Sequence, residues 1–156
     1  MEYIDIKKNE AFLVTQKAFI IKQNKFLILQ NPQYKNYDWS KKWTLPGGIL
    51  ELNETLQDGL LREIEEETGK LKVKIKHPIA VSQFTHPNFK FRDGRAMEIE
   101  FITIGYLCEY ISGEIKLSDE HIDFKWVSKK EVKKYNISKD SKELVKEFIN
   151  SVNNLV

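Results

Sequence analysis

The sequence predicts an α/β layered fold, on three observations. A strongly acidic amphipathic helix lies near the middle of the chain. Extended segments rich in β-branched and aromatic residues lie on both sides of it, and an amphipathic helix follows them at the end. A sheet must bury its apolar faces against something, and these two helices are the covers the chain offers. With 156 residues and 41% apolar content, one well-buried core and one domain over 1–156 are expected.

The elements follow in order. Ala18 to Ile21 and Phe26 to Leu29 read as a hairpin turning at Gln23-Asn24. Asn31 to Lys42 is a polar loop carrying Tyr34, Tyr37 and Trp39. Leu45-Pro46-Gly47-Gly48 is a tight turn in which the glycines allow close backbone approach. The central helix is expected from about Glu54 to Thr68, with Asn53 or Thr55 as N-cap, a capping box of Thr55 with Asp58, and Gly69 just past its end. Leu56, Leu60 and Ile64 form its apolar stripe. Lys72 to Ile75 and Ile79 to Phe84 read as extended, Thr85 to Ala96 as a second loop turning at Asp93-Gly94, and Ile99 to Tyr110 as a long strand. Ser112-Gly113 makes a turn, Phe124 to Val127 a short strand, and Ser128 with Glu131 a capping box opening a short helix. Leu144, Val145, Phe148, Ile149 and Val152 give the apolar face of the last helix.

The chemistry concentrates on the central helix. Glu63 and Glu65 to Glu67 place four carboxylates within five residues, and Arg62 is the one cation between Gly48 and Gly69, against seven acids. Residues three and four apart share a helix face, so Glu63, Glu66 and Glu67 form one acidic stripe. Like charges so close repel, and a divalent cation relieves them; oxygen-only donors point to a hard ion, Mg²⁺ or Mn²⁺. Arg62 can pair with Asp58 or Glu66, or fold back toward Glu54, its rigid fork holding a carboxylate in one orientation.

The segment Gly48-(five residues)-Glu54-(seven residues)-Arg62-Glu63-Ile64-Glu65-Glu66-Glu67-Thr68-Gly69 resembles the Nudix box. It departs from that pattern at the final aliphatic position, where Lys70 stands before Leu71. The resemblance implies an α/β/α sandwich with a mixed β-sheet and hydrolysis of a nucleoside diphosphate linked to another group. It implies Mg²⁺ held by Glu63, Glu66, Glu67 and the Gly47 carbonyl, with Arg62 and Glu54 orienting that set. Ser118-Asp119-Glu120-His121, just before Trp126-Val127, resembles the loop that supplies one more acid in many such enzymes. Glu120 would then be a fourth ligand or the base that activates water.

Other candidates surround this set. Arg92 and Arg95 flank the Asp93-Gly94 turn and, with Lys90, could grip phosphates. Tyr34, Tyr37, Trp39, Phe89 and Phe91 could stack on a base, with Trp39 and Phe89 the leading choices. Cys108 is the only cysteine and lies in an apolar run, so a buried, inert thiol is expected. A net charge of +2 gives no electrostatic case for a nucleic-acid polymer, which argues against an RNA-processing enzyme. Intact glutamates argue against a non-catalytic nucleotide sensor. No apolar leader or membrane-length run is seen, so a cytoplasmic monomer or homodimer acting on small nucleotides is expected. The length and the Trp-Thr-Leu-Pro-Gly-Gly lead-in suit a triphosphate pyrophosphatase. Pro87, seventeen residues past Lys70, is the feature that favours an ADP-ribose hydrolase instead.

Overall fold

The computed structural model describes residues 12–35, 37–91 and 93–151. It contains strands β1 (Phe12–Lys22), β2 (Lys25–Gln30), β3 (Trp43–Thr44), β4 (Lys72–Lys90), β5 (Ala96–Ser112) and β6 (Asp123–Val127). Helix α1 is Leu56–Thr68, helix α2 is Lys139–Asn150, and one 3₁₀ turn covers Glu131–Lys134. The strands form one sheet in the order β3-β2-β1-β5-β4, with β6 also paired to β2. The sheet is mixed: β1 runs parallel to β5, and the other strand pairs are antiparallel.

Alternation along β1 and β2 builds two cores. Phe19, Phe26 and Ile28 pack with Leu144, Val145 and Phe148 of α2. Ala18, Ile20, Leu27 and Leu29 face the other way and pack with Leu60 and Ile64 of α1. The sheet is therefore covered by one helix on each face, giving the expected α/β/α sandwich. Cys108 is fully buried in the α1-side core, where burial pushes its thiol up to about 12. No helix among the described residues is long and apolar enough to cross a membrane.

Local signals held at the helix ends. Thr55 caps α1 by accepting from the Asp58 N–H at 3.1 Å, and Gly69 ends it with φ 74°. The Ser128–Glu131 capping box forms in both directions, although it opens a single 3₁₀ turn. Gln23 and Asn24 both adopt positive φ in the β1–β2 turn.

Three expectations need correction. Leu56 is 46% exposed: in this first turn it is the backbone that docks, its carbonyl accepting the Gln16 amide at 2.7 Å. The Thr85 to Ala96 loop is mostly sheet, because β4 continues to Lys90 and closes on β5 through a turn at Phe91 to Arg95. Pro78 and Pro87 do not stop β4 because it is an edge strand with one free side, and register shifts fall beside both prolines. Lastly, the two segments expected around Lys72 to Phe84 are one strand. Val152 lies outside the described residues.

Candidate active site

β1 and β2 pair only beside their turn, at Ile21–Phe26 and Lys22–Lys25. Beyond that point the glycine turn takes over the edge of β1. The N–H groups of Ala18 and Gln16 donate to the carbonyls of Pro46 and Gly48, and Leu50 N–H donates to Val14, at 2.8–2.9 Å. Gly47 has φ 124°, a conformation only glycine adopts freely. The turn is thus part of the sheet, and α1 follows it directly.

Arg62 is the centre of the acidic face. Its Nε donates to Glu54 at 2.5 Å and its Nη2 to Glu54 and the Ile49 carbonyl. Its Nη1 reaches Glu63 at 2.9 Å and Glu66 at 3.1 Å. Of the partners expected, Glu54 and Glu66 are taken and Asp58 is not; Asp58 pairs with Thr55. The bonds to Glu54, then to Glu63, raise the guanidinium's pKa, and the same contact with a backbone N–H holds Glu54 below its usual range. Burial above all, then repulsion from Glu67 and Glu66, pushes Glu63 above its ordinary 4.5 against the pull of Arg62.

Glu67 is the buried acid of the stripe, its side chain 5% exposed. Gly47 N–H donates to one oxygen at 2.7 Å and His121 Nε2 lies 2.9 Å from the other. The Gly47 carbonyl, expected to face a metal, accepts from Lys17 Nζ at 2.9 Å. A carbonyl has two lone pairs, so one remains. Among the described residues no three carboxylate or imidazole groups converge on one point, because Arg62 draws Glu63 and Glu66 while Gly47 and His121 draw Glu67. The donors nevertheless fit a hard divalent cation. They are all oxygens, the single Arg62 is shared among Glu54, Glu63 and Glu66, and Gly48 leaves space where a Cβ would lie 2.5 Å from the Glu63 carboxyl carbon.

A cleft of about 810 Å³ runs from Glu67 and Glu120 past Lys17 and Asp140 to two aromatic walls. On one wall Trp39 lies tilted against Tyr34 and Tyr37, with ring centroids 4.6 and 5.1 Å away. On the other, Phe84 lies parallel to Phe101 at 4.8 Å, with Phe89 edge-on to it. Trp39, Phe89, Lys90 and Glu120 all line this cleft as candidates. Arg95 does not line it: it sits in the β4–β5 turn, 73% exposed, paired with Asp93. Arg92 lies outside the described residues.

Three cleft residues have no role assigned to them by the sequence: Lys17, Asp140 and His121. Lys17 stands beside the apolar run of β1 and is buried. Its ammonium bonds Thr44, Leu45 and Gly47 and pairs with Asp140 at 2.8 Å. Asp140 follows the α2 N-cap Ser138, and His121 follows Glu120. Burial opposes both charges of the pair. For Lys17 the attraction of Asp140, Glu67 and Glu63 outweighs it, raising the pKa above 10.5. For Asp140 the attraction of Lys17 and three hydrogen bonds outweighs it, holding the pKa below 3.8.

Asp140→Asn is expected to destabilise the fold by about 3 kcal/mol, since it takes from a buried ammonium its ion-pair partner at 2.8 Å and leaves it only the attraction of Glu67 and Glu63. That corresponds to roughly 6–12 °C in Tm at this size. Asp140's contribution is full above pH 3.8, its unfolded value, and is lost as pH falls through the lower folded value. Lys17's is full below 10.5 and is lost as pH rises through the higher folded value. In urea melts the gap between wild type and variant should therefore hold across the neutral range and narrow at both extremes. A constant gap below pH 3.8 would refute the ion-pair account.

A family model described as the NUDIX domain matches residues 12–148. The nucleoside triphosphatase NudI of Escherichia fergusonii is 33% identical over 98 residues, 62% of this chain and 69% of that protein. The solved MutT protein from Methanosarcina mazei Go1 superposes with a TM-score of 0.69 at 26% identity, covering 89% of this chain and 94% of its own. An ADP-ribose pyrophosphatase from Streptococcus suis superposes with a TM-score of 0.64 at 17% identity, over 92% and 94%, a likeness of fold alone. The family match contains the glycine turn, the acidic helix and the cleft, and the chain belongs to the Nudix family as a Nudix hydrolase.

Proposed function

We propose that this protein, acting as one domain, hydrolyses a nucleoside triphosphate, ordinary or oxidised, to the monophosphate and pyrophosphate. The observation that carries the reading is that Glu67, the buried acid of the α1 stripe, lines a cleft that also has two aromatic walls, one place for phosphates and one for a base. The 33% identity to a protein named as a nucleoside triphosphatase supports the same choice.

Glu63, Glu66, Glu67 and the Gly47 carbonyl would hold Mg²⁺, with Mn²⁺ as the alternative. When bound, that ion supplies charge neutralisation and Lewis-acid activation of water. Arg62, fixed by Glu54, keeps Glu63 and Glu66 turned toward one region of the helix face. Glu120, exposed on the cleft wall, receives a proton from the attacking water as one phosphoanhydride bond breaks. Lys90 and Lys139, which also line the cleft, meet the charge that gathers on phosphate oxygens. Trp39 and Phe89 flank the base.

The test is a hydrolysis screen with Mg²⁺ at mildly alkaline pH over triphosphates, oxidised triphosphates, ADP-ribose, NADH and dinucleoside polyphosphates. At least one triphosphate should show a higher kcat/KM than ADP-ribose. ADP-ribose hydrolysis is the second reading, favoured by the position of Pro87 in the cleft wall. A ranking reversed by tenfold or more would establish it in place of the first.

A further inference from the structure

We propose that His121 is a positioning residue for the reaction, acting through Glu67. The inference rests on the reading of Glu67 as a metal ligand. Glu67 Oε1 lies 2.9 Å from His121 Nε2, and Oε2 accepts the Gly47 N–H at 2.7 Å. A carboxylate accepts and does not donate, so the hydrogen of this contact sits on Nε2. Two donors on two different oxygens fix the plane of a side chain that otherwise turns about three bonds, and they leave its remaining lone pairs aimed in one direction.

The ring is delivered by a segment strapped to the end of α1. A helix leaves its last carbonyls without partners. Here Ser118 N–H donates to the Glu67 carbonyl and Lys116 N–H to that of Thr68, at 3.2 and 3.0 Å. Ile122 N–H then donates to Gln30 in β2 at 2.9 Å, so the segment is tied on both sides of His121. His121 is 8% exposed, and its Nδ1 has no partner among the described residues. The ring is thus buried, and among the described residues Glu67 is its one side-chain hydrogen-bond partner. Packing alone would be served better by an apolar side chain, since a buried unpaired nitrogen costs stability. What the imidazole adds is the bond to Glu67.

Mn²⁺ affinity of the full chain without nucleotide, read from the EPR signal of free Mn²⁺, tests this apart from turnover. In His121→Gln the amide nitrogen reaches the place of Nε2; in His121→Asn it stops at the place of Nδ1. The two variants bury similar polarity, so a purely structural role treats them alike. The expected result is a loss of about tenfold or more in Mn²⁺ affinity for His121→Asn and a loss within about threefold for His121→Gln. Equal affinities in the two variants would overturn the proposal. If His121→Asn does not fold at the assay temperature, His121→Gln decides alone, and a loss beyond about threefold overturns it. Glu67→Gln separates the two readings. If it leaves Mn²⁺ binding unchanged, the ligand role of Glu67 fails and His121 falls with it. If it abolishes binding while His121→Asn does not weaken it, only the positioning role fails.

Discussion

Glu67→Gln should retain its fold and lose at least about 10²-fold in kcat, because a neutral amide is a poor ligand for a hard cation and leaves its charge uncompensated. The site makes this substitution unusually clean. The substituted side chain can still accept the Gly47 N–H through its amide oxygen. Its amide nitrogen then faces His121, whose ring can shift its hydrogen to Nδ1 and accept on Nε2. Shape and hydrogen bonding survive while the charge is removed. Glu65→Gln is the control, since Glu65 is exposed and takes no part in the Arg62 or His121 contacts. Steady-state turnover at saturating Mg²⁺, with thermal melts of the same samples, measures both. Near wild-type turnover in Glu67→Gln would remove this carboxylate from the metal set.

The acidic helix was legible because its information is local. Spacing at three and four residues fixes the face, and Thr55 and Gly69 fix the ends, so Glu63, Glu66 and Glu67 could be assigned to one stripe without knowing the fold. The Lys17–Asp140 pair was not legible for the opposite reason. Its members lie on β1 and α2, and only the parallel pairing of β1 with β5 and the packing of α2 across them bring the charges together. Neither residue carries a local pattern that points to the other, 123 positions away. His121 was obscured by Glu120, which carried the recognisable chemistry while its neighbour turned inward to Glu67. The Thr85 to Ala96 segment read as a loop because proline and an Asp-Gly turn are strong local signals. An edge position made Pro87 tolerable, and sequence does not announce which strand will be an edge.

The two glycines of the turn should fail in different ways, and the contrast tests how the sheet presents the site. A Cβ on Gly47 would run into the Gln16 carbonyl oxygen and lie 3.1 Å from the Lys17 Cα, all backbone of β1, at a φ of 124°. The turn cannot retreat without giving up the bonds from Ala18 and Gln16 and the Gly47 N–H to Glu67. Strain and overpacking together put Gly47→Ala at about 3–5 kcal/mol, roughly 6–20 °C in Tm. Gly48 is not among the positive-φ residues, and the three atoms nearest its Cβ would all belong to the Glu63 carboxylate, the first at 2.5 Å. That group is the free end of a long side chain and can swing away. Gly48→Ala should therefore cost about 1 kcal/mol or less in stability, yet lower kcat by about tenfold or more, because Glu63 leaves the place where it would meet the cation. Calorimetry and turnover on the two variants separate the effects. If Gly48→Ala melts and turns over like wild type, Glu63 is not needed where the fold holds it. If Gly47→Ala melts like wild type, the turn is not fixed against β1 as its hydrogen bonds require.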